Sequence, residues 1–411
     1  MSKNCHPSRK STKHLAIACA ASGRTQWDPS PAWQFNVIQP NSTQFNHPNT
    51  SRPPAWCLLL LAGILLLPTL SPAQTPAYRI FVSDEKSGDI TIINGTDFSI
   101  ASTLPVGKRP RGIHASPDGQ TLYVALSGTP IEPPPQLDTN GNPILQKYKK
   151  DDDDDSDIKA DKAADGIAVI DLNSVKMLRK IPAGSDPEQF SLSTDGQRLY
   201  IANEDIGTAT ILDIATEKIL TFIPVTREPE GVGNSPVGKF FYVGCETAGD
   251  IFAIDTTTFK VIGHIQVHPR PRSIDFLPDG SKAFASSESS GELNVLAPAT
   301  QTLFKTIALP KGCRPMCVKV APDGKKVYVS TGRGGTICVV DTTTYTVLAN
   351  IKVGKRPWGI ALSPDDKYLF AANGPSDDVS VVDLSAGKEI SRVKLSPGSS
   401  PWGIAVVPQP K

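Results

Sequence analysis

One unit of chain recurs seven times, and a chain built this way has few folds open to it. The clearest copy holds the runs Lys326–Ser330, Thr336–Asp341, Tyr345–Ile351 and Gly354–Asp366. Taking Gly196, Gly238, Gly280, Gly324 and Asp366 as equivalent, successive copies lie 42, 42, 44 and 42 residues apart. Gly119 and Gly196 are 77 apart, so that copy carries an insertion. A period near 40 with four short apolar runs predicts an all-β chain, a seven-bladed β-propeller of four-stranded antiparallel blades.

The runs alternate on a period of two. In Ile251–Asp255 and Val379–Asp383 successive side chains fall on opposite faces of an extended chain. They favour Val, Ile, Tyr, Phe and Thr, which suit a pleated surface. Asp-Gly turns at Asp118, Asp195, Asp279 and Asp323 tolerate the positive φ of tight hairpins. Asp171, Asp213, Asp255, Asp341 and Asp383 end the third run of their copies.

The two ends of the repeat region predict how the ring closes. The first copy begins at Tyr78–Ser83, which matches the second strand of the unit, and the chain finishes with Pro401–Val407, which matches the first. Joined, they make one complete blade, so the C-terminal strand closes the ring and leaves no open seam.

Ahead of the repeats, residues 1–52 are polar and proline-rich without a period, and we expect no structure there; an upstream misassigned start would explain them. Arg52, the apolar run Cys57–Leu67 and the small residues Ser71–Ala73 follow the order of a secretory signal over 53–73, cleaved after Ala73. The run is shorter than the roughly 20 residues a membrane helix needs. The expected mature chain, 74–411, is therefore periplasmic, monomeric and without a stable membrane span. Residues 1–73 carry six of the 42 Lys/Arg and one of the 41 Asp/Glu, which leaves 36 basic and 40 acidic side chains and a net charge of −4. That balance argues against nucleic-acid binding, which wants a basic footprint.

Cys245, Cys313, Cys317 and Cys338 remain after cleavage, and their strand contexts favour free thiols, although export permits a disulfide. No Cys-x-x-Cys-His occurs, so no covalent c-type haem is expected. His114, His264 and His268 stand apart from acids or cysteines at ligand spacing; no metal and no cofactor are expected.

Candidate chemistry sits where each innermost strand is entered, at an X-Pro-X motif. Before the proline stand Arg109, Asp186, Glu228, Arg270, Arg314, Arg356 and Ser400; after it stand Arg111, Glu188, Glu230, Arg272, Met316, Trp358 and Trp402. Two neighbouring blades are thus acidic at the mouth and five are basic or aromatic. Arginine forks there suit carboxylate or phosphate. The alternative is that proline and arginine organise the turn, with Trp358 and Trp402 plugging between blades. The insertion, about 128–163, falls between second and third strands and hence on the same face. Its Glu132–Pro135 segment and its Lys147–Asp155 charge runs predict a loop that is either a plain surface insertion or a lid or docking arm. Asp138–Gly141 lacks the downstream glutamate of an EF-hand loop. No catalytic motif is visible, and none of the chain's residues is assigned a catalytic role.

At Leu122–Ala125, Leu199–Asn203, Phe241–Gly244 and Val327–Ser330 the chain resembles the YVTN-type beta-propeller repeat family, and the match runs over 78–407. More narrowly, it is similar to exported seven-repeat propellers associated with catabolism that depends on pyrroloquinoline quinone (PQQ). That resemblance implies a non-catalytic periplasmic accessory, a binding or scaffold protein with a quinoprotein dehydrogenase or c-type cytochrome as partner. The alternative is a propeller enzyme of the lactonase sort, with Asp186, Glu188, Glu228 and Glu230 holding a divalent metal or acting as base.

Overall fold

A computed structural model describes residues 78–131 and 160–409. Among these, strands form seven four-stranded antiparallel sheets, and the helical content is three single turns of 3-10 helix. No helix among the described residues is long and apolar enough to cross a membrane. The expected residues 1–52 and 53–73, and the candidate loop Asp138–Gly141, lie outside the described residues.

The ring closes as the repeat ends predict. Blade 1 pairs Pro401–Pro408 with Tyr78–Asp84, followed by Asp89–Asn94 and Ile100–Pro105. Ile80 faces Val406 and Val82 faces Ile404 across this pair, whose two strands are joined only by the whole length of the repeat region. Blades 2 to 7 then begin with innermost strands at Ile113–Ala115, Pro187–Leu192, Pro229–Asn234, Ile274–Phe276, Val318–Val320 and Pro357–Leu362. Each innermost strand touches the next around the ring, Pro357–Leu362 meeting Pro401–Pro408.

The core lies between blades rather than within them. Among the described residues the buried apolar side chains fall into seven clusters, one at each blade-to-blade interface. Phe81, Ile92 and Val407 of blade 1 meet Ile113, Val124 and Ile170 of blade 2. Phe370 and Val381 of blade 7 meet Ile80, Val82 and Ile404 of blade 1. A blade alone would leave two apolar faces wet, at about 1.5–3 kcal/mol for each large side chain, so the blades stabilise one another.

Turn chemistry positions the two faces of the disc. Gly119, Gly196, Gly238, Gly280 and Gly324 all take φ between 68° and 70°, and Asp366 takes 54° in the glycine's place. Where the third strand ends, Asp255 Oδ1 accepts from the backbone N–H of Thr257 at 3.0 Å and Thr258 at 2.6 Å. Asp341 repeats this with Thr343 and Thr344 at 2.9 and 2.7 Å. These side-chain acceptors hold the chain in a turn that a strand ladder cannot continue.

On the opposite face the innermost strands pack so closely that side chains are excluded behind the mouth residues. A Cβ on Gly403 would stand 2.5 Å from the Arg111 carbonyl oxygen, and one on Gly359 2.6 Å from that of Trp402. Hydroxyls from second strands clip the same carbonyls: Ser83 Oγ donates to Arg111 O at 2.7 Å and Ser286 Oγ to Met316 O at 2.8 Å. Gly359 and Gly403, each following a tryptophan, are thus positions of close backbone approach. The four described cysteines are free, three of them buried.

Candidate functional site at the channel mouth

Entry to each innermost strand is backbone-constrained. Arg109, Asp186, Glu228, Arg270, Arg356 and Ser400, each preceding a proline, have φ between 44° and 66°. Left-handed backbone is uncommon for residues with a Cβ. Its recurrence here directs the residue before proline and the residue after it toward the same end of the channel.

The charges at that end are largely matched in pairs, which changes the meaning of the acidic and basic arcs seen in the sequence. Arg111 of blade 2 binds Glu85 of blade 1 at 2.9 Å, is paired with Glu188 of blade 3, and lies 3.7 Å from Glu204. Arg109 reaches Glu85 at 3.4 Å and also donates to the Pro130 carbonyl at 3.3 Å at the root of the insertion. Blades 4 and 5 repeat the scheme. Arg272 pairs with Glu230 and Glu246 of blade 4 and with Glu288 at 2.8 Å, while Arg270 reaches Glu246 at 2.8 Å and Glu288 at 3.0 Å. Of the candidate acids of blades 3 and 4, Glu188 and Glu230 are thus bound to arginines of the flanking blades, while Asp186 and Glu228 accept from Ser127 and Thr247. Four of the candidate anion ligands, Arg109, Arg111, Arg270 and Arg272, are engaged by carboxylates. Arg314 donates to the Glu288 carbonyl at 3.4 Å.

Sequence reasoning missed the acids that do this. Glu85, Glu204, Glu246 and Glu288 occupy one column of the repeat, directly after the second strand's terminal Asp84, Asn203, Cys245 and Ser287. The recurring glutamate in that column was the available signal.

Burial sets the protonation of these groups. Burial, with Glu230 alongside, pushes the Glu246 carboxyl well above the usual range against the pull of Arg272. Burial also disfavours charge on Glu288, but Arg272 and Arg270 outweigh it and hold that carboxyl down at about 2. Asp186 is raised to about 6 by burial, opposed by Arg111 and reinforced by the neighbouring Glu204. The Glu204 backbone N–H donates to the Asp186 carbonyl at 3.1 Å, which keeps the pair adjacent.

Blades 6, 7 and 1 complete the mouth differently. In the glutamate column blade 6 has Gly332, followed by Arg333, and blade 7 has Gly374. Arg356 of blade 7, unlike the arginines of blades 2 and 5, consequently makes no salt bridge among the described residues, and the Glu288 and Glu85 carboxylates act on it only from a distance. Its guanidinium sits 4.8 Å from the ring centre of Trp358. Trp358 and Trp402 lie 5.4 Å apart and tilted at 46°, and Arg111 stands 6.0 Å from the Trp402 ring. Trp402 is buried with its indole N–H unpartnered. The mouth is therefore an acidic and basic arc of paired charges facing an aromatic arc in which, among the described residues, Arg356 makes no salt bridge.

A metal at this mouth, one form of the enzyme alternative, finds no donor set: among the described residues no three His, Cys, Asp or Glu side chains converge as ligands. Glu188 and Glu230 are committed to arginines, and Asp186 and Glu228 accept hydrogen bonds from Ser127 and Thr247. The histidines lie elsewhere. His264 meets Asp250 of the adjacent strand at 2.7 Å, and His268 meets Glu292 of the next blade at 2.5 Å, partners that the sequence did not reveal because they are distant along the chain. His114 packs on Phe190, and burial pushes its imidazole down to about 4.

The family model described as "Lactonase, 7-bladed beta-propeller" matches residues 250–394, the part of the ring that carries Arg270, Arg272, Glu288, Arg314 and Arg356. No curated protein matches the chain. Among solved structures, a "putative 6-phosphogluconolactonase" from Bacteroides fragilis is 18% identical, with a TM-score of 0.61, covering 82% of this chain and 100% of that one. A protein described in the same words from Bacteroides uniformis is 16% identical with a TM-score of 0.61, covering 80% and 99%. Kuenenia stuttgartiensis hydrazine synthase is 17% identical with a TM-score of 0.60, covering 78% and 99%. The chain is a seven-bladed propeller, and its residues 250–394 are similar to that family model.

Proposed function

We propose that this protein is a propeller hydrolase of the lactonase sort, acting on a small cyclic ester that carries an anionic group. The observation that carries the reading is Arg356, the mouth arginine whose counter-charge is replaced by Gly332 and Arg333. A half-buried cation left unmatched among matched ones is a place for a ligand's anion, bound by a fork suited to carboxylate or phosphate. Trp358 beside it offers an apolar face for a ring. Water activation falls to the Asp186 and Glu204 pair: a carboxyl near pKa 6 is poised to take a proton at neutral pH. In the reaction, water adds to the ester carbonyl and its proton passes to the carboxylate pair. The ring C–O bond then breaks and the proton returns to the departing alkoxide, so that one hydroxy acid results.

The lactonase match favours this reading over the quinoprotein accessory, which rests on the repeat resemblance alone. We place the enzyme in the periplasm on the strength of Arg52, the apolar run Cys57–Leu67 and the small residues Ser71–Ala73. The direct test is base uptake at constant pH by purified protein offered sugar lactones with and without a carboxylate or phosphate. Turnover above the spontaneous rate, preferring the anionic members, is expected. Binding of those lactones without turnover would return the protein to the accessory reading.

A further inference from the structure

A second cationic feature runs outward from Arg356 at the mouth, in a cleft of about 680 Å³ between blades 6 and 7. Its walls carry Arg333, Lys352, Lys355, Arg356 and Arg392, with Glu389 as the single acid lining it. That acid is already committed: it accepts two hydrogen bonds from Arg392, at 2.9 and 2.7 Å. Arg333, Lys352 and Lys355 have no carboxylate partner among the described residues. The mouth arginines of blades 2 and 5 are matched with glutamates, whereas these cations of blades 6 and 7 are not.

The cleft is formed by backbone as well as by charge. Gly334, Gly335 and Gly354 line it. Gly335 takes φ 63°, and its carbonyl accepts the Val353 N–H at 3.0 Å, which brings the loop of blade 6 against the connection into blade 7. That connection is pinned from the far side, where Ser380 Oγ accepts the Gly354 N–H at 3.1 Å and Ser376 Oγ accepts the Lys355 N–H at 3.2 Å. The cations are therefore displayed from a fixed frame, and glycine leaves the space between them open.

We propose that this cleft is a binding site for a compact dianion of the phosphoryl class, either free phosphate or a phosphate monoester. Like charges held together repel, and a ligand with two charges and three acceptor oxygens on one small centre relieves that repulsion best. Arginine binds such a group through its fork and lysine as a point charge. A monocarboxylate offers half the charge, and a duplex nucleic acid is too wide for a cleft of this volume. The cleft shares Arg356 with the proposed lactone site, whereas Lys352 and Lys355 have no place in the proposed chemistry, so the lysines tell the two sites apart.

Calorimetric titration of the purified propeller with inorganic phosphate, and separately with a sugar phosphate, at constant chloride provides the test. One saturable site per chain is expected. Lys352→Ala with Lys355→Ala should weaken it at least tenfold. Lys325→Ala with Lys367→Ala, which removes two lysines from the opposite face, should bind as wild type. Tighter binding of the sugar phosphate would identify an ester as the ligand; equal binding would identify phosphate itself. Absence of saturation by about 10 mM of either, or an equal loss in both double variants, would overturn the proposal. Both pairs of substitutions fall on exposed side chains, so folding is expected to survive, and unchanged lactone turnover in the Lys352/Lys355 variant separates this site from the catalytic one.

Discussion

Replacing Arg272 by glutamine isolates the charge pairing on which the mouth depends. Arg272 is nearly buried and contacts Glu230, Glu246 and Glu288, which come from two blades. Without it, Glu230 and Glu246 remain as buried neighbouring carboxylates with only Arg270 nearby to Glu246. Removing one partner of a buried ion pair costs about 3–5 kcal/mol, because the other partner stays desolvated. At about 2.1 cal/mol/K of unfolding entropy per residue, the roughly 300 described residues convert 1 kcal/mol into about 1.6 °C. A fall in Tm of about 5–8 °C at pH 8 follows. Loss of the cation raises the folded-state pKa of the Glu246 carboxyl further, so the folded variant binds more protons than its unfolded chain. Stability then rises as pH falls toward the unfolded carboxyl value of about 4.5, and the deficit should shrink at pH 5.5. Differential scanning calorimetry of wild type and variant at both pH values measures this. A deficit that is absent at pH 8, or equal at both pH values, would refute the pairing account.

Deleting Pro401–Lys411 removes the buried Trp402, Ile404 and Val407, a loss of about 5–9 kcal/mol of burial, comparable with the whole stability of a typical domain; circular dichroism should show a chain that no longer melts cooperatively. Gly403→Ala places a Cβ 2.5 Å from the Arg111 carbonyl and should cost about 1–3 kcal/mol by denaturant titration, with no gain in any contact. Lactone turnover should decline as pH drops below about 6, where the Asp186 carboxyl takes up its proton, and a kcat/KM profile of Asp186→Asn should lack that limb.

The fold was legible because the repeat makes each element testable against six others. A period near 40 and the split blade at Tyr78 and Pro401 are covalent facts, and closure follows from them. The candidate site was legible only by column. Reading residues on either side of the prolines located the mouth and brought out Arg356, Trp358 and Trp402. It assigned net charge to arcs, however, because pairing between Arg111 and Glu85, or Arg272 and Glu246, joins residues 26 positions apart in adjacent blades. Which charges cancel depends on which column of one blade faces which column of the next, and that is set by the inter-blade packing of Gly403, Ser83 and their counterparts. The cleft between blades 6 and 7 was equally hidden, since its walls come from a second-to-third-strand loop, a blade connection and an outer strand.

The central claim is that Arg356 receives the anionic group of a cyclic ester, and the most direct measurement is a ratio. For wild type and Arg356→Gln, kcat/KM is determined on an anionic lactone and on its neutral analogue. Loss of a charge-assisted hydrogen bond is worth about 1.5–3 kcal/mol, so the preference for the anionic lactone should fall about tenfold to a hundredfold, with turnover of the neutral lactone nearly unchanged. An equal fall on both lactones, or no fall on either, would contradict the account.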